Sequence, residues 1–343
     1  LAENDRGWSP SSLKRQALKR LASNPDHSRP ARMVAKPTMP GGICRSSKSP
    51  AVWTTKPMTF ADRFVAAVRT HGPLCVGIDP HAGRIPVLFG GDTPEGLEAW
   101  GRAIIEAATG RVGIVKPQVG LFERHGWEGM RAFAGVCAAA KDAGLLVLAD
   151  AKRGDIGSTA EGYAAAYLAQ GSPFACDALT VNPYMGLDTL EPHVRVAEQS
   201  GKGVIVLART SNPGSANYQA RDLEGAPLFA RVVESLAPMI ERLEGACGWS
   251  GLMLVTGATG PDEARQLRQL APKALFLVPG YGAQGAGAAE AVAGFVHGEG
   301  GCVNASRSVT FPKGSESAGS KQDWQTLIES AIDAAQLDLK NAL

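Results

Sequence analysis

The sequence has few cysteines and no long apolar run, and both absences restrict the class of protein. Its 343 residues include 6 cysteines, with no C-x-x-C pair and no Cys/His cluster at zinc spacing. So few cysteines in so long a chain exclude a disulfide-stapled fold and predict reduced thiols in a cytoplasmic protein. No stretch approaches the roughly 18 apolar residues of a membrane span, which predicts a soluble protein without a membrane partner.

The chain also lacks a strong excess of either charge, but its charges are unevenly placed. Residues 1–57 contain 11 of the 35 Lys/Arg residues and 3 of the 33 Asp/Glu residues. Residues 58–343 therefore contain 24 basic and 30 acidic residues. A mildly acidic body argues against nucleic-acid binding, and a basic N-terminal arm contacting nucleic acid is a weaker alternative.

Residues 1–57 are rich in Ser, Pro and Arg and have no sustained hydrophobic period beyond a short helical piece. This composition predicts a disordered N-terminal extension. We take Met58 as the expected natural start, with a transit peptide as the alternative. The remainder, residues 58–343, is expected to form a single catalytic domain.

Short runs rich in Val, Leu and Ile recur beyond Met58, with amphipathic segments between them. The runs are LCVGID (74–79), VGIVKP (112–117), LLVLAD (145–150), ALTVNP (178–183), GVIVLART (203–210), LMLVTGA (252–258), LFLVPG (275–280) and CVNASR (302–307). Near-continuous apolar strands alternating with helices indicate a parallel sheet covered on its outer face. Eight such units predict an α/β fold, the TIM (β/α)8 barrel. A doubly wound sheet would need a G-x-G-x-x-G after an early strand, and none follows LCVGID.

Charged residues collect where the predicted strands end. They are Asp79, Lys116, Asp150, Lys152 and Arg307. Active sites of TIM barrels lie at the carboxyl ends of the strands, so this placement indicates a functional site.

The segment DAKRGD after the third predicted strand is the densest of these clusters. Asp150 and Lys152 lie two residues apart and therefore point the same way from an extended strand, while Asp155 follows where the next helix begins. Two carboxylates and an ammonium would share one small volume. A surface salt bridge beside a helix cap is the alternative, which the position at a strand end disfavours.

The glycine-rich segment PGYGAQGAG follows the seventh predicted strand, and Arg307 ends the eighth. TIM barrels often build phosphate sites from these two loops. A plain turn is the alternative reading of the glycines.

Taken in order, VGIDPH, DAKRGDIGST, SNPGS, VPGYGAQG and VNASR resemble the orotidine 5′-phosphate decarboxylases, specifically their longer bacterial branch. The similarity runs from about Met58 to about residue 335. It implies a barrel of the ribulose-phosphate-binding type that converts orotidine 5′-phosphate to uridine 5′-phosphate and CO2 in pyrimidine biosynthesis. It further implies a homodimer that uses neither a cofactor nor a metal.

The resemblance also implies roles for individual residues. Lys152 would protonate C6 of the pyrimidine, Asp150 would lie beside the substrate carboxylate, and Lys116 and Asp155 would complete the charged catalytic network. Substrate contacts would come from Asp79 and Lys116 at the ribose, Ser211 and Pro279 at the base, and Gln284 and Arg307 at the phosphate. Asp155, Ile156 and Thr159 would reach into the site of the partner subunit.

Two departures from the family pattern affect loop details. Tyr281 stands where an aliphatic residue is common, and VNASR replaces a more usual double serine before the arginine.

Two other functions remain open. The first is a magnesium-dependent sugar-phosphate lyase or decarboxylase of the same barrel suprafamily, which would hold the metal with the strand-end carboxylates. The second is a non-catalytic barrel that binds a nucleotide or a phosphate. Intact Asp150, Lys152 and Asp155 argue against the second.

Overall fold

The structure is a computed structural model that describes residues 58–282 and 285–343. Eight parallel strands, numbered here β1 to β8, close into a barrel in which each strand pairs with its neighbours along the chain and β8 pairs with β1. They are Leu74–Ile78, Ile114–Pro117, Leu146–Arg153, Ala178–Val181, Gly203–Arg209, Ser250–Thr256, Ala274–Val278 and Gly301–Ala305. The predicted TIM barrel is confirmed. The predictions for residues 1–57 lie outside the described residues.

The helices α1 to α12 surround or close the barrel. They are Phe60–His71, Pro94–Ala108, Val119–Glu123, Gly126–Asp142, Gly157–Leu168, Leu187–Ser200, Leu228–Ser235, Ala237–Arg242, Pro261–Leu270, Ala288–Ala291, Arg307–Thr310 and Lys321–Ala342. The segment 227–243 reads as one helix in the sequence but divides into α7 and α8. Pro238 lies in the first turn of α8, and because proline has no backbone N–H it cannot continue the helical ladder of α7.

Helix α1 covers the amino-terminal end of the barrel. Its Phe60 and Phe64 are buried in a cluster with inward-facing strand residues such as Cys75, Ile205 and Met253. Side chains along a strand alternate between the inside and the outside of the barrel, so the residue two positions after an inward-facing one also faces inward. A strand can therefore place an apolar side chain at the closed end and a polar one nearer the mouth.

That alternation brings the polar residues to the open end of the barrel. In β2 the inward series is Ile114, Lys116 and, just past the strand, Gln118; in β3 it leads from Leu148 to Asp150. The closed end is therefore an apolar core, and the open end is a polar pocket.

The C-terminal helix α12 packs on the outside of the barrel against α2. Its inner face buries Trp324, Ile328 and Ile332, and the Trp324 ring meets Phe89 edge-on with 4.6 Å between centroids. Within the described residues no helix is both long and apolar enough to cross a membrane.

Candidate active site

A pocket of about 520 Å3 lies at the carboxyl ends of the barrel strands. Every barrel strand except β4 contributes lining residues within it or just beyond its end. The lining includes Asp79, His81, Lys116, Gln118, Asp150, Lys152, Thr210, Ser211, Pro279, Tyr281, Asn304, Ser306 and Arg307. This is the end of a TIM barrel where active sites lie.

Asp150 is the centre of the charged network in this pocket. Its Oδ1 lies 2.5 Å from the ammonium nitrogen of Lys152 and 3.1 Å from the Thr180 hydroxyl. Its Oδ2 accepts hydrogen bonds from Lys116 Nζ at 2.9 Å and from Gln118 Nε2 at 2.8 Å. Both oxygens of a buried carboxylate are thus held by two donors each, which fixes its orientation.

The two lysines decide the ionisation of Asp150. Burial alone raises the pKa of the Asp150 carboxyl, but the adjacent charges of Lys116 and Lys152 outweigh it and hold the pKa well below its ordinary range. Burial likewise lowers the pKa of Lys116, and Asp150 together with Asp79 raises it above its usual value. The site therefore holds a charged carboxylate and a charged Lys116 at neutral pH.

The backbone of β3 is irregular where it carries Lys152. Ala149 pairs with Leu179 of β4, and the next paired residues are Arg153 and Val181. Between these two pairs β3 has more residues than β4, so β3 contains a bulge. Lys152 itself has φ of 47°, a left-handed conformation that a residue with a side chain rarely adopts. Bulges are frequent beside active sites, where they redirect a side chain.

Asp79 extends the network toward the other side of the mouth. Its Oδ1 lies 3.8 Å from Lys116 Nζ and has no hydrogen-bond partner among the described residues. Asp79 Oδ1 thus keeps acceptor capacity that no described residue uses.

The opposite wall of the pocket is formed by the ends of β7 and β8. Arg307 begins α11 and, like Gly280 and Tyr281, lines the pocket. The Tyr281 hydroxyl donates to Asp338 of α12 at 2.6 Å. A cationic side chain next to a glycine-containing loop is suited to a phosphate group.

Comparison with known proteins agrees with this geometry. The sequence model described as "Orotidine 5'-phosphate decarboxylase / HUMPS family" matches residues 72–321, most of the barrel. The chain belongs to this family.

Individual relatives cover most of the chain. An orotidine 5′-phosphate decarboxylase of Rhodopirellula baltica is 38% identical over 300 residues, which are 82% of this chain and 99% of that protein. One from Salinispora tropica is 42% identical over 233 residues, covering 68% of this chain and 82% of that one. The solved OMP decarboxylase of Leishmania donovani superposes with a TM-score of 0.63 at 31% identity, covering 82% of this chain and all of that one (100%). The resemblance read from the sequence is confirmed.

Most of the residues predicted for the site of this family lie together in the pocket. They are Asp79, Lys116, Asp150, Lys152, Ser211, Pro279 and Arg307. Gln284 lies outside the described residues. The individual roles of all these residues stay predictions.

Asp155, Ile156 and Thr159 do not line the pocket of their own chain. The Asp155 carboxylate accepts a hydrogen bond from the Ile156 backbone N–H at 2.8 Å, and the Ile156 side chain is 60% exposed. Within one chain Asp155 therefore does not share the pocket with Asp150 and Lys152.

Sequence reasoning missed two polar partners of Asp150, Gln118 and Thr180. Gln118 continues the inward series of β2, which is a signal that could have found it. Thr180 lies inside an apolar run, where a threonine reads as a strand former. Arg153, by contrast, belongs to the conspicuous charge cluster but turns outward, where it contacts Glu123 and the Tyr167 hydroxyl.

Gly77 in β1 gives a steric prediction for the Arg307 side of the pocket. A Cβ at this position would lie 2.9 Å from Ser306 Cβ and 3.0 Å from Asn304 Oδ1, with Ser306 Oγ closer still. Gly77→Ala must therefore displace the segment that carries Arg307. We expect the KM for a phosphorylated substrate to rise at least about tenfold, measured by steady-state kinetics.

The matched control is Gly120→Ala in α3, where an added Cβ meets no atom within 4 Å. It is expected to leave KM unchanged. An unchanged KM in Gly77→Ala would show that the Ser306 segment yields without moving Arg307.

Proposed function

We propose that this enzyme decarboxylates orotidine 5′-phosphate to uridine 5′-phosphate and CO2 in pyrimidine biosynthesis, with Lys152 protonating C6. The observation that supports it best is the Asp150 carboxylate held between Lys116 and Lys152 at the mouth of the barrel. The family and the curated relatives point to the same reaction.

The chemistry requires a cation and a proton at one carbon atom. When the bond between C6 and the carboxylate breaks, CO2 leaves and the bonding electron pair stays on C6. The Lys152 ammonium stabilises that pair by its charge and then transfers a proton to C6, and the resulting neutral amine regains a proton from water. The Lys152 side chain is 48% exposed in the pocket, which leaves room for substrate beside it.

Asp150 serves this step by fixing Lys152 and its charge. A carboxylate held by four donors pays no reorganisation when the substrate changes charge, so it acts as a preorganised group. Asp150 also lies beside the proposed position of the substrate carboxylate. The repulsion between the two negative charges is relieved as CO2 leaves.

Binding at the far end of the pocket is proposed to support the same step. Arg307 and Gln284 would hold the phosphate, Ser211 and Pro279 the base, and Asp79 with Lys116 the ribose hydroxyls. Interactions with a remote phosphate stabilise a closed site in which the transition state is favoured over the bound substrate.

The magnesium-dependent lyase is the second candidate because strand-end carboxylates are typical magnesium ligands. In this pocket, however, both oxygens of Asp150 are already engaged, and Lys116 Nζ lies 2.9 Å from Asp150 and 3.8 Å from Asp79. A magnesium ion between these carboxylates would have to displace an ammonium, which favours the metal-free reaction.

The test follows the absorbance of orotidine 5′-phosphate with purified protein in excess EDTA. Turnover that survives the chelator supports the proposal. No turnover in EDTA, together with activity on a sugar phosphate once magnesium is restored, would transfer the assignment to the lyase.

We further propose a homodimer in which Asp155, Ile156 and Thr159 contribute to the site of the partner subunit. These residues lie outside their own pocket, and Ile156 is 60% exposed. Met185, which is 43% exposed, lies close to Gly154 in the same segment, where an added Cβ would be 3.3 Å from its Cε. Exposed apolar side chains in one segment are typical of a subunit interface.

Complementation tests this arrangement. Lys152→Ala and Asp155→Ala chains are each expected to be inactive, but a hybrid dimer would contain one site with both residues intact. An equimolar mixture unfolded and refolded together should recover about one quarter of wild-type activity, since half the dimers are hybrids and each has one working site of two. Activity no higher than that of the separate variants would place both residues in the site of one chain.

Residues 58–343 are proposed to form the catalytic unit, since the barrel is built from them. A protein beginning at Met58 should therefore retain full kcat/KM. A cytoplasmic location is proposed as well, because the five cysteines in the described residues are all free thiols.

A further inference from the structure

Thr180 in β4 links two parts of the catalytic segment without facing the substrate. It is fully buried and does not line the pocket. Its hydroxyl accepts a hydrogen bond from the Lys152 backbone N–H at 2.8 Å, and it lies 3.1 Å from Asp150 Oδ1 and 3.4 Å from the Ala149 carbonyl. A hydroxyl has one proton, and the charged, nearer Asp150 oxygen is its better acceptor.

The Lys152 end of this link acts on a strained backbone. With φ of 47°, Lys152 has a conformation that persists only where the surroundings hold it. The bulge removes the Lys152 N–H from the regular ladder between β3 and β4, and the Thr180 hydroxyl takes the place of the missing backbone acceptor.

The Asp150 end fixes a side chain. Asp150 Oδ1 accepts hydrogen bonds from Lys152 Nζ and Thr180 Oγ1, so the same hydroxyl that accepts the Lys152 backbone N–H is also one of the four donors that orient the carboxylate. Without this hydroxyl, Asp150 Oδ1 would keep only Lys152 as a donor, and Lys152 could return to an ordinary φ.

We propose that Thr180 is a positioning residue that keeps Lys152 in its left-handed conformation and its ammonium aligned with Asp150. This inference rests on the proposed decarboxylation, in which Lys152 is the proton donor. Thr180 acts through Lys152 and Asp150, so its loss should lower the rate of the chemical step more than the affinity for substrate.

Three variants separate this role from simple packing. Thr180→Val removes the hydroxyl at similar size, and Thr180→Ser keeps it. Thr256→Val makes the same change at another fully buried strand threonine, whose hydroxyl has no hydrogen-bond partner among the described residues. We expect kcat to fall about 10- to 100-fold in Thr180→Val with KM within about threefold of wild type, while Thr180→Ser and Thr256→Val stay near wild type.

Amide hydrogen exchange supplies a readout that does not depend on activity. The Lys152 amide should exchange faster in Thr180→Val than in wild type, and its exchange rate in Thr180→Ser should return to that of wild type. The exchange is followed in peptides spanning residues 148–156. If Thr180→Val does not fold, Thr180→Ala removes the same hydroxyl with the same expectations.

Unchanged kcat and unchanged exchange in Thr180→Val would overturn the inference. Equal losses in Thr180→Val and Thr256→Val would also overturn it, because packing alone would then explain them. An inactive wild type would refute the proposed function, whereas the exchange measurement would still decide whether Thr180 holds the Lys152 backbone.

Discussion

Lys152→Ala is expected to lower kcat/KM for orotidine 5′-phosphate by about 10⁴-fold or more, because it removes the side chain that we propose as both the proton donor and the cation beside the reacting carbon. The loss should appear in the chemical step, since the residues proposed to contact the phosphate and the base follow other strands. The protein should still fold, because Lys116 remains 2.9 Å from Asp150 and keeps that buried carboxylate paired. Steady-state kinetics and a thermal unfolding curve measure both effects.

Two further variants sharpen this result. Lys152→Arg keeps a cation that does not give up its proton in proteins, so it should remain inactive if proton transfer is required. Lys273→Ala removes an ammonium whose ion pair with Glu244, at 2.7 Å, is on the surface, and it should have wild-type kinetics. Activity of Lys152→Ala within tenfold of wild type would mean that another group protonates C6.

The barrel could be predicted from the sequence because its strands are buried on both faces. Runs such as LCVGI at 74–78 are apolar throughout, and all five of these residues are buried in the fold. Eight such runs leave few topologies, and the right-handed connection of parallel strands leaves fewer. The position of Lys116 and Asp150 at strand ends then followed from the points where these apolar runs end.

The detailed geometry could not be predicted because it depends on pairing between strands. The sequence reading placed Asp150 and Lys152 on one face of a regular strand, and the two side chains do meet. They meet, however, across a bulge whose existence is set by the register of β3 against β4. Thr180 reaches Lys152 and Asp150 only through that register, so no local pattern marks it.

A second kind of information is missing from any single chain. Asp155 belongs to the same short motif as Lys152, but in the fold its carboxylate bonds the Ile156 backbone and lies away from the pocket. A motif reports which residues are near in sequence, whereas a site shared between subunits depends on a surface that the second chain completes.

Asp150→Asn should have the largest effect on stability. The change removes the counter-charge of Lys116, a side chain that is only 4% exposed, and leaves Asp79 at 3.8 Å as its nearest acidic group. Breaking a buried ion pair by removing one partner typically costs about 3–5 kcal/mol, because the remaining charge is left uncompensated. We expect a loss of that size in the free energy of unfolding at pH 7, measured by urea denaturation.

Two further variants separate the effect of the buried charge from the effect of replacing a carboxylate with an amide. Glu244→Gln breaks the surface pair with Lys273 and should cost no more than about 1 kcal/mol. The double variant Asp150→Asn/Lys116→Met removes both charges and should recover much of the lost stability. If Asp150→Asn is as stable as wild type, Lys116 must find another partner or lose its charge.

The pH dependence of stability gives an independent check on the same pair. The folded pKa of Asp150 lies below its ordinary value of 3.8, so its ionised form stabilises the fold above pH 3.8, and this contribution is lost as the pH falls from there through the lower folded pKa. The pKa of Lys116 is raised, so its contribution is fully present at neutral and acid pH and is lost only as the pH rises beyond its usual range. Native carboxylates titrate between about pH 5 and pH 2. Over this range wild type should therefore lose more stability than Asp150→Asn. Other carboxylates with lowered pKa values, such as Asp62 and Asp92, are present in both proteins, so the difference between the two acid unfolding curves isolates Asp150.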